Sequence, residues 1–352
     1  MSRERDRFDR AGPTHLKPVD WNKAIHRRSV AASLVQGVYV QENDRQLQRM
    51  EPQAPSLAPP WWDFFDFEIY RVLADNDDDE KSIFGTIYVD KSKSNTNDSA
   101  RKPRYVVAFR GNVLHQSKDT RTRDIKLDFQ YYFNHLRSDS RYKTGIDRIN
   151  ELVGIGGGAQ NIWLVGHSLG AAMAMSAGKY MAKLGHSIET YLFNPPFSSA
   201  TYFFMRWTAN ETVRNIMRVT HSTIKAGLVT AAKTLSPFYK PGNDHDPFVA
   251  LYNWFPHIFV NRNDPFCSGY IAYFEHRKKM ESIGAGNVEK IATKTSMRSA
   301  TFSTFGCETE DLHLLPSANL YLNYTPGCYL VAHAPEQWWN PDTPCQPILY
   351  KG

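Results

Sequence analysis

"NIWLVGHSLGAAMAMSAG", residues 161–178, begins as an apolar run, turns sharply through Gly166-His167-Ser168-Leu169-Gly170, and continues rich in Ala and Met. A GxSxG pentapeptide alone is weak evidence, so the context carries the meaning. A serine presented on a strand-to-helix turn needs a buried strand before it and a helix after it. It also needs glycine at the two flanking positions, where a side chain would strike neighbouring backbone. Here "IWLV" supplies the strand and "LGAAMAMSAGKYMAKLG" the helix, with Ala171, Ala172 and Ala174 small enough to pack closely on a sheet. The competing reading is a serine in an ordinary loop. The context favours a nucleophile turn.

The surrounding pattern extends this reading. "NIWLVG", "IETYLFN" and "HIFVN" are short, continuous apolar runs of the kind buried in a parallel sheet. Helical stretches over 168–184 and most of 200–254 alternate with them, which predicts an α/β layered fold with right-handed crossovers. Upstream, "SIFGTIYV" and "RYVVAFRG" read as a hairpin or neighbouring strands, and "TRDIKLDFQYYFNHL" as a helix. A helix is expected from Asp20, as its N-cap, to about Arg49. "WWDFFDFEIYRVL" is apolar and aromatic without a decisive period. Near the end, "NLYLN" and "CYLVAH" are strand-like runs separated by a "YTPG" turn, with a terminal helix after them. "GIGGGA" at 154–159 precedes a strand instead of following one, so it is a helix-to-strand turn and not a dinucleotide loop. The expected fold is α/β: a single α/β-hydrolase domain over 1–352, with a mostly parallel central sheet flanked by helices. Residues 1–18 are loosely ordered, and a helical insertion at 200–254 follows the strand after the nucleophile helix. That insertion and the aromatic segment 61–70 either cap an apolar acyl cleft or complete the core.

Bulk properties narrow the function classes. The 352 residues are 41% hydrophobic and 22% charged, a globular composition able to bury a full core. The net charge of +6 is scattered and not gathered into a stripe, which argues against a nucleic-acid partner. No apolar run is long enough to span a bilayer, and the charged N-terminus lacks a secretory core. Cys267, Cys307, Cys328 and Cys345 show no metal-ligand spacing and read as free thiols. The aspartate run "DNDDDEKS" fails the glycine and glutamate positions of a calcium loop. The expectation is a cytoplasmic protein with no metal and no cofactor.

A serine hydroxyl attacks only if a base takes its proton, and the base needs an anion to fix its tautomer. In this fold both follow the serine in the chain, at strand tips. Asp264, in "HIFVNRNDPF", is the acid candidate; a turn aspartate before Pro265 is its plainer reading. His333, in "YLVAHAPEQWW", is favoured as base because it directly follows a strand-like run, and His313, in "DLHLLPS", is the alternative. His167 is set aside, since on a sharp turn its side chain points away from Ser168. The oxyanion donors are the Leu169 backbone N–H and the turn around Asn112, after "VVAFRG".

These residues resemble those of the class 3 (fungal-type) lipases of the α/β-hydrolase superfamily. "YVVAFRGN" is similar to their oxyanion turn, "VGHSLGAA" to their nucleophile elbow and "VNRNDP" to their aspartate turn. Over the whole chain, "AGPTHLKPVDW", "HRRSVAASLVQGVYV", "SLGAAMAM", "FNPPF", "YFEHRKKMESIG" and the closing "AH…QWW" resemble a plant subgroup catalogued as GDSL esterase/lipase-like, although no GDSL motif occurs. The resemblance implies Ser168, Asp264 and a later histidine as a triad hydrolysing acyl or lipid esters. The implied partner is that substrate, with contact to a membrane or lipid-droplet surface as an open expectation. Two departures stand out. Asn112 occupies a position usually held by Thr or Ser, and its amide can still donate. In a second alignment, "AHAPEQWW" matches a segment upstream of the family's histidine, which leaves His313 as base or the triad incomplete. A catalytically inactive relative that binds lipid or a partner is therefore the alternative function, and acyl transfer would use the same residues.

Overall fold

The computed structural model describes residues 16, 18–47, 61–75, 81–92, 101–111, 139–197, 249–283 and 313–351. The expected helix "TRDIKLDFQYYFNHL", Asn112 and residues 200–248 of the expected insertion lie outside the described residues. Eight strands form one sheet in sequence order: β1 (Phe67–Ala74), β2 (Ile83–Asp90), β3 (Tyr105–Phe109), β4 (Ile162–His167), β5 (Glu189–Phe193), β6 (His257–Asn261), β7 (Ala318–Asn323) and β8 (Gln346–Tyr350). Strands β3 to β7 are parallel; β1, β2 and β8 pair antiparallel at the two margins.

The strand order never reverses, and this decides how the faces are covered. Right-handed crossovers between successive neighbours all fall on one side of such a sheet. The crossover helices α2 (Ser140–Ile155), α3 (Leu169–Lys183) and α4 (Gly269–Ser282) accordingly share a single core with Val107, Leu164, Leu192, Ile258 and Leu320. The alternate residues of the same strands, Val106, Trp163, Val165, Tyr191, Phe193 and Phe259, face the opposite way. That face must be covered by helices from outside the crossovers. Helix α1 (Ala24–Gln46) lies across it through Val30, Leu34, Val35 and Val38, and Trp338 and Trp339 of the short α6 (Glu336–Trp339) complete it.

Several sequence expectations are corrected. Helix α1 starts at Ala24 behind Lys23, not at Asp20, because the Asp20 carboxylate accepts from the Asn22 amide and forms a turn ahead of the helix. "WWDFFDFEIYRVL" divides into a 3₁₀ turn, Trp61–Phe65, followed by β1. Within the end of the expected insertion, Val249–Asn253 is a 3₁₀ turn. "CYLVAH" is not a strand: Tyr329–His333 forms the short helix α5. The place beside β7 is filled by β8, which the sequence reading did not anticipate, and Leu330 and Val331 are exposed, unlike residues of a buried strand. The expected terminal helix is the single turn α6. Among the described residues, no helix is long and apolar enough to cross a membrane.

Helix α3 sits almost flush on the sheet. A Cβ added at Gly166 would lie 2.3 Å from the Gly170 carbonyl oxygen, and one at Gly170 would lie 2.3 Å from that of Phe109. Both contacts are with backbone, which cannot swing aside. Gly154, on the exposed end of α2, has nothing within 4 Å. Gly170→Ala should therefore destabilise the protein by about 3 kcal/mol or more. Gly154→Ala should stabilise it by up to about 1 kcal/mol through helix propensity. Urea unfolding of the two variants checks the opposite signs.

Candidate active site

Ser168 and Asp264 sit just past the carboxyl ends of the parallel strands β4 and β6, and His333 closes the short helix α5 that follows β7. Ser168 follows β4 with φ 55° and ψ −125°, a left-handed conformation that costs a non-glycine residue about 1–3 kcal/mol. The turn is held by the Ser168 amide, which donates to the Phe193 carbonyl at 3.0 Å, and by the Ser168 carbonyl, which accepts from Ala171 and Ala172. The Leu169 amide opens helix α3, where no intrahelical carbonyl can reach it, and points no hydrogen bond at any described residue.

His333 Nε2 lies 3.0 Å from Ser168 Oγ, and His333 Nδ1 lies 2.8 Å from Asp264 Oδ2. A carboxylate only accepts, so Nδ1 carries the proton and Nε2 presents its lone pair to the serine hydroxyl. The Asp264 carboxylate is completely buried. Burial alone would raise its pKa. The charge and hydrogen bond of His333, the Cys267 thiol and the Phe266 amide together outweigh that and hold it below its ordinary value. His313, by contrast, packs its ring on Phe197, with centroids 4.6 Å apart, and on Tyr273. The structure brings His333, and not His313, to Ser168.

The backbone around His333 is held by side chains from three directions. Helix α5 ends there, so its last carbonyls lack intrahelical partners. The Ala332 carbonyl accepts from Asn194 Nδ2 at 3.0 Å and from Gln337 Nε2 at 2.7 Å. The His333 carbonyl accepts from His167 Nε2 at 2.7 Å, and Ala334 accepts from Gln337 at 2.9 Å. Gln337 Oε1 in turn accepts from Asn261 and Asn323, at the tips of β6 and β7.

His167 also links the His333 backbone to the turn after β3. Because Nε2–H donates to a carbonyl, Nδ1 is the acceptor, and it receives the Tyr39 hydroxyl at 2.8 Å. Tyr39 Oη accepts from the Gly111 amide at 2.7 Å, and Arg110 Nη1 donates to the Gly111 carbonyl at 2.6 Å. Gly111 must be a glycine here: a Cβ would lie 2.8 Å from Ser168 Cβ. Asn112, the next residue and an expected oxyanion donor, lies outside the described residues. His167 bonds Tyr39 and the His333 carbonyl, so it belongs to the site's support. Asn194, Gln337, Tyr39 and Cys267 were also not foreseen. The signal for Asn194 was the strand-end "FNPP", where two prolines fix the backbone beside an amide.

The model of the class 3 lipases matches residues 106–223. A GDSL esterase/lipase of Arabidopsis thaliana is 40% identical over 362 aligned positions, spanning 100% of this chain and 99% of that protein. The chain belongs to the class 3 lipase family. Its reaction class is therefore carboxylic ester hydrolysis, on an α/β-hydrolase fold. No solved structure matches it significantly. The family match begins at β3 and spans the Gly111 turn and the Ser168 elbow, whereas Asp264 and His333 lie beyond it.

Within this lipase-family chain, His167 makes stability depend on pH. Burial first, and the charge of His333 second, hold its pKa down to about 3. Unfolded, an imidazole titrates near about 6.5. Between those values only the unfolded chain binds the proton, so stability is lost as pH falls, by up to about 1.4 kcal/mol per pH unit from this group. Urea unfolding between about pH 7 and pH 5 should show that slope, and His167→Gln should flatten it.

Proposed function

We propose that the protein is a serine hydrolase that cleaves acyl or lipid esters through Ser168, His333 and Asp264. Ser168 Oγ attacks the ester carbonyl while His333 Nε2 takes its proton. Asp264 steadies the imidazolium, and the Leu169 amide with the turn at Asn112 holds the oxyanion. Collapse of the tetrahedral species returns the proton from His333 to the departing alkoxide and leaves Ser168 acylated. Water, deprotonated by His333, then releases the acid and restores the serine. The observation that carries this reading is the unbroken Ser168–His333–Asp264 hydrogen-bond chain, with the hydroxyl on a strained turn. The buried, ionised carboxylate supports it further.

Ser168→Ala should lower ester turnover roughly 10⁶-fold, because residues acting as a unit fail as a unit. A fluorophosphonate should label the native protein at Ser168. Folded native protein that takes no label, or hydrolyses esters as well without Ser168, would establish the inactive, ligand-binding alternative.

The substrate-side proposal is a lipid ester met at a membrane or lipid-droplet surface. Four large side chains just before the base, Tyr324, Tyr329, Leu330 and Val331, are exposed at 59%, 36%, 57% and 59%, a density that suits apolar contact. A cytoplasmic location is part of the same reading, and the unbridged thiols of Cys267, Cys328 and Cys345 suit a reducing compartment. Leu330→Glu with Val331→Glu should cut hydrolysis of esters carried in vesicles about tenfold or more while leaving a soluble short-chain ester unaffected. Equal loss on both substrates would remove the surface-contact proposal.

A further inference from the structure

Asn194 stands one residue past β5, between the tips that carry Ser168 and Asp264, and it is wholly buried. Its backbone is left-handed, with φ 47°, a conformation that asparagine tolerates better than other side-chain-bearing residues. The orientation of its amide is fixed by chemistry. Trp338 Nε1–H can only donate, and it donates to Asn194 Oδ1. The amide nitrogen must then face the other way, where Asp264 Oδ2 lies at 2.6 Å and the Ala332 carbonyl at 3.0 Å. One NH₂ group therefore spends one hydrogen on the acid and the other on the backbone that carries the base.

We propose that Asn194 is a positioning residue for ester hydrolysis, holding the Asp264 carboxylate and the His333 backbone in a fixed relation and moderating the pull of the carboxylate on the imidazole. The inference rests on the Ser168–His333–Asp264 reading and deepens it. Asp264 Oδ2 accepts His333 Nδ1 at 2.8 Å, Asn194 Nδ2 at 2.6 Å and the Cys267 thiol at 3.0 Å. Three donors share the charge of one oxygen. Each donor that is not His333 draws density away from the oxygen that faces the ring. Removing the Asn194 donor leaves more charge on Oδ2, and the base then holds its proton to higher pH. Freed from its second bond, the Ala332 carbonyl also loses one of the two side chains that hold it, and the ring moves relative to Ser168.

Other groups around the imidazole do not confuse this readout. His167, packed against it with ring centroids 5.1 Å apart, stays neutral above about pH 3, and burial raises the Cys267 thiol further above neutral pH. Phe266, whose ring lies 5.2 Å from that of His333, carries no charge, and Glu336, three residues along the chain, is left unchanged in every variant compared.

The test is the pH profile of kcat/KM on a soluble short-chain ester, for native protein, Asn194→Gly and Trp338→Phe. Glycine keeps the left-handed backbone and removes only the amide. Phenylalanine removes the N–H that orients the amide and keeps most of the ring. Asn194→Gly should move the acid limb upward by about half to one pH unit. It should also lower kcat on the order of 10- to 100-fold, with KM little changed. Trp338→Phe should move the limb in the same direction by less. A purely structural role would lower thermal stability and leave the acid limb in place. An Asn194→Gly limb that is unmoved, or displaced downward, overturns the proposal; if that variant does not fold, an unmoved limb in Trp338→Phe does so. Failure of the underlying triad appears separately, as native protein that fluorophosphonate does not label.

Discussion

The closeness of helix α3 to the sheet is the constraint from which the rest follows. Gly166 and Gly170 leave no room for a single carbon between the helix start and the backbone of β3 and β4. A chain leaving β4 so tightly cannot take an ordinary turn, and Ser168 absorbs the misfit in its positive φ. The strain is held by an apolar core on either side, with Ala171, Ala174 and Met175 of α3 on one face and Val165 and Phe193 on the other. The serine is therefore presented by packing, and the hydroxyl has no say in the matter.

From that turn the site spreads along neighbouring strand tips. Gly111, Ser168, Asn194 and Asp264 each lie just past one of four successive parallel strands, and β7 leads to His333. A sheet whose order never reverses has no crevice between diverging halves. Its functional edge is a row, and the row must be tied together sideways. Asn194 and Gln337 do this with amides that donate on one side and accept on the other. The Tyr39–His167 pair does it with a ring whose tautomer is dictated at both ends. The free carbonyls at the end of α5 are what these side chains grip.

Much of this was legible in the sequence because it was local. The parallel strands announced themselves as unbroken apolar runs, since both faces of each are buried. The elbow announced itself because glycine is demanded at two positions around one serine. Asp264 and His333 were legible as strand-tip residues, although His333 was favoured for an incorrect local reason. "CYLVAH" has the composition of a strand, but β8 occupies the β7 edge and Tyr329–His333 is a helix. Such competition for an edge involves residues far apart in the chain and leaves no mark in a short window. The support residues were hidden for the same reason. His167 and Gln337 act through backbone carbonyls, which every residue possesses, so no motif distinguishes their partners.

Helix α5 has a consequence for how the molecule fails. His333 is 165 residues from the serine its ring touches, and it stands on a five-residue helix outside the sheet, several of whose side chains are in solvent. Its anchorage is a handful of polar contacts and two tryptophans, far less than the apolar burial that holds the strands. Release of this one segment would part the His333 ring from Ser168 while leaving the sheet and the turn after β4 standing. The contact between the two residues can thus open at a lower cost than the fold itself.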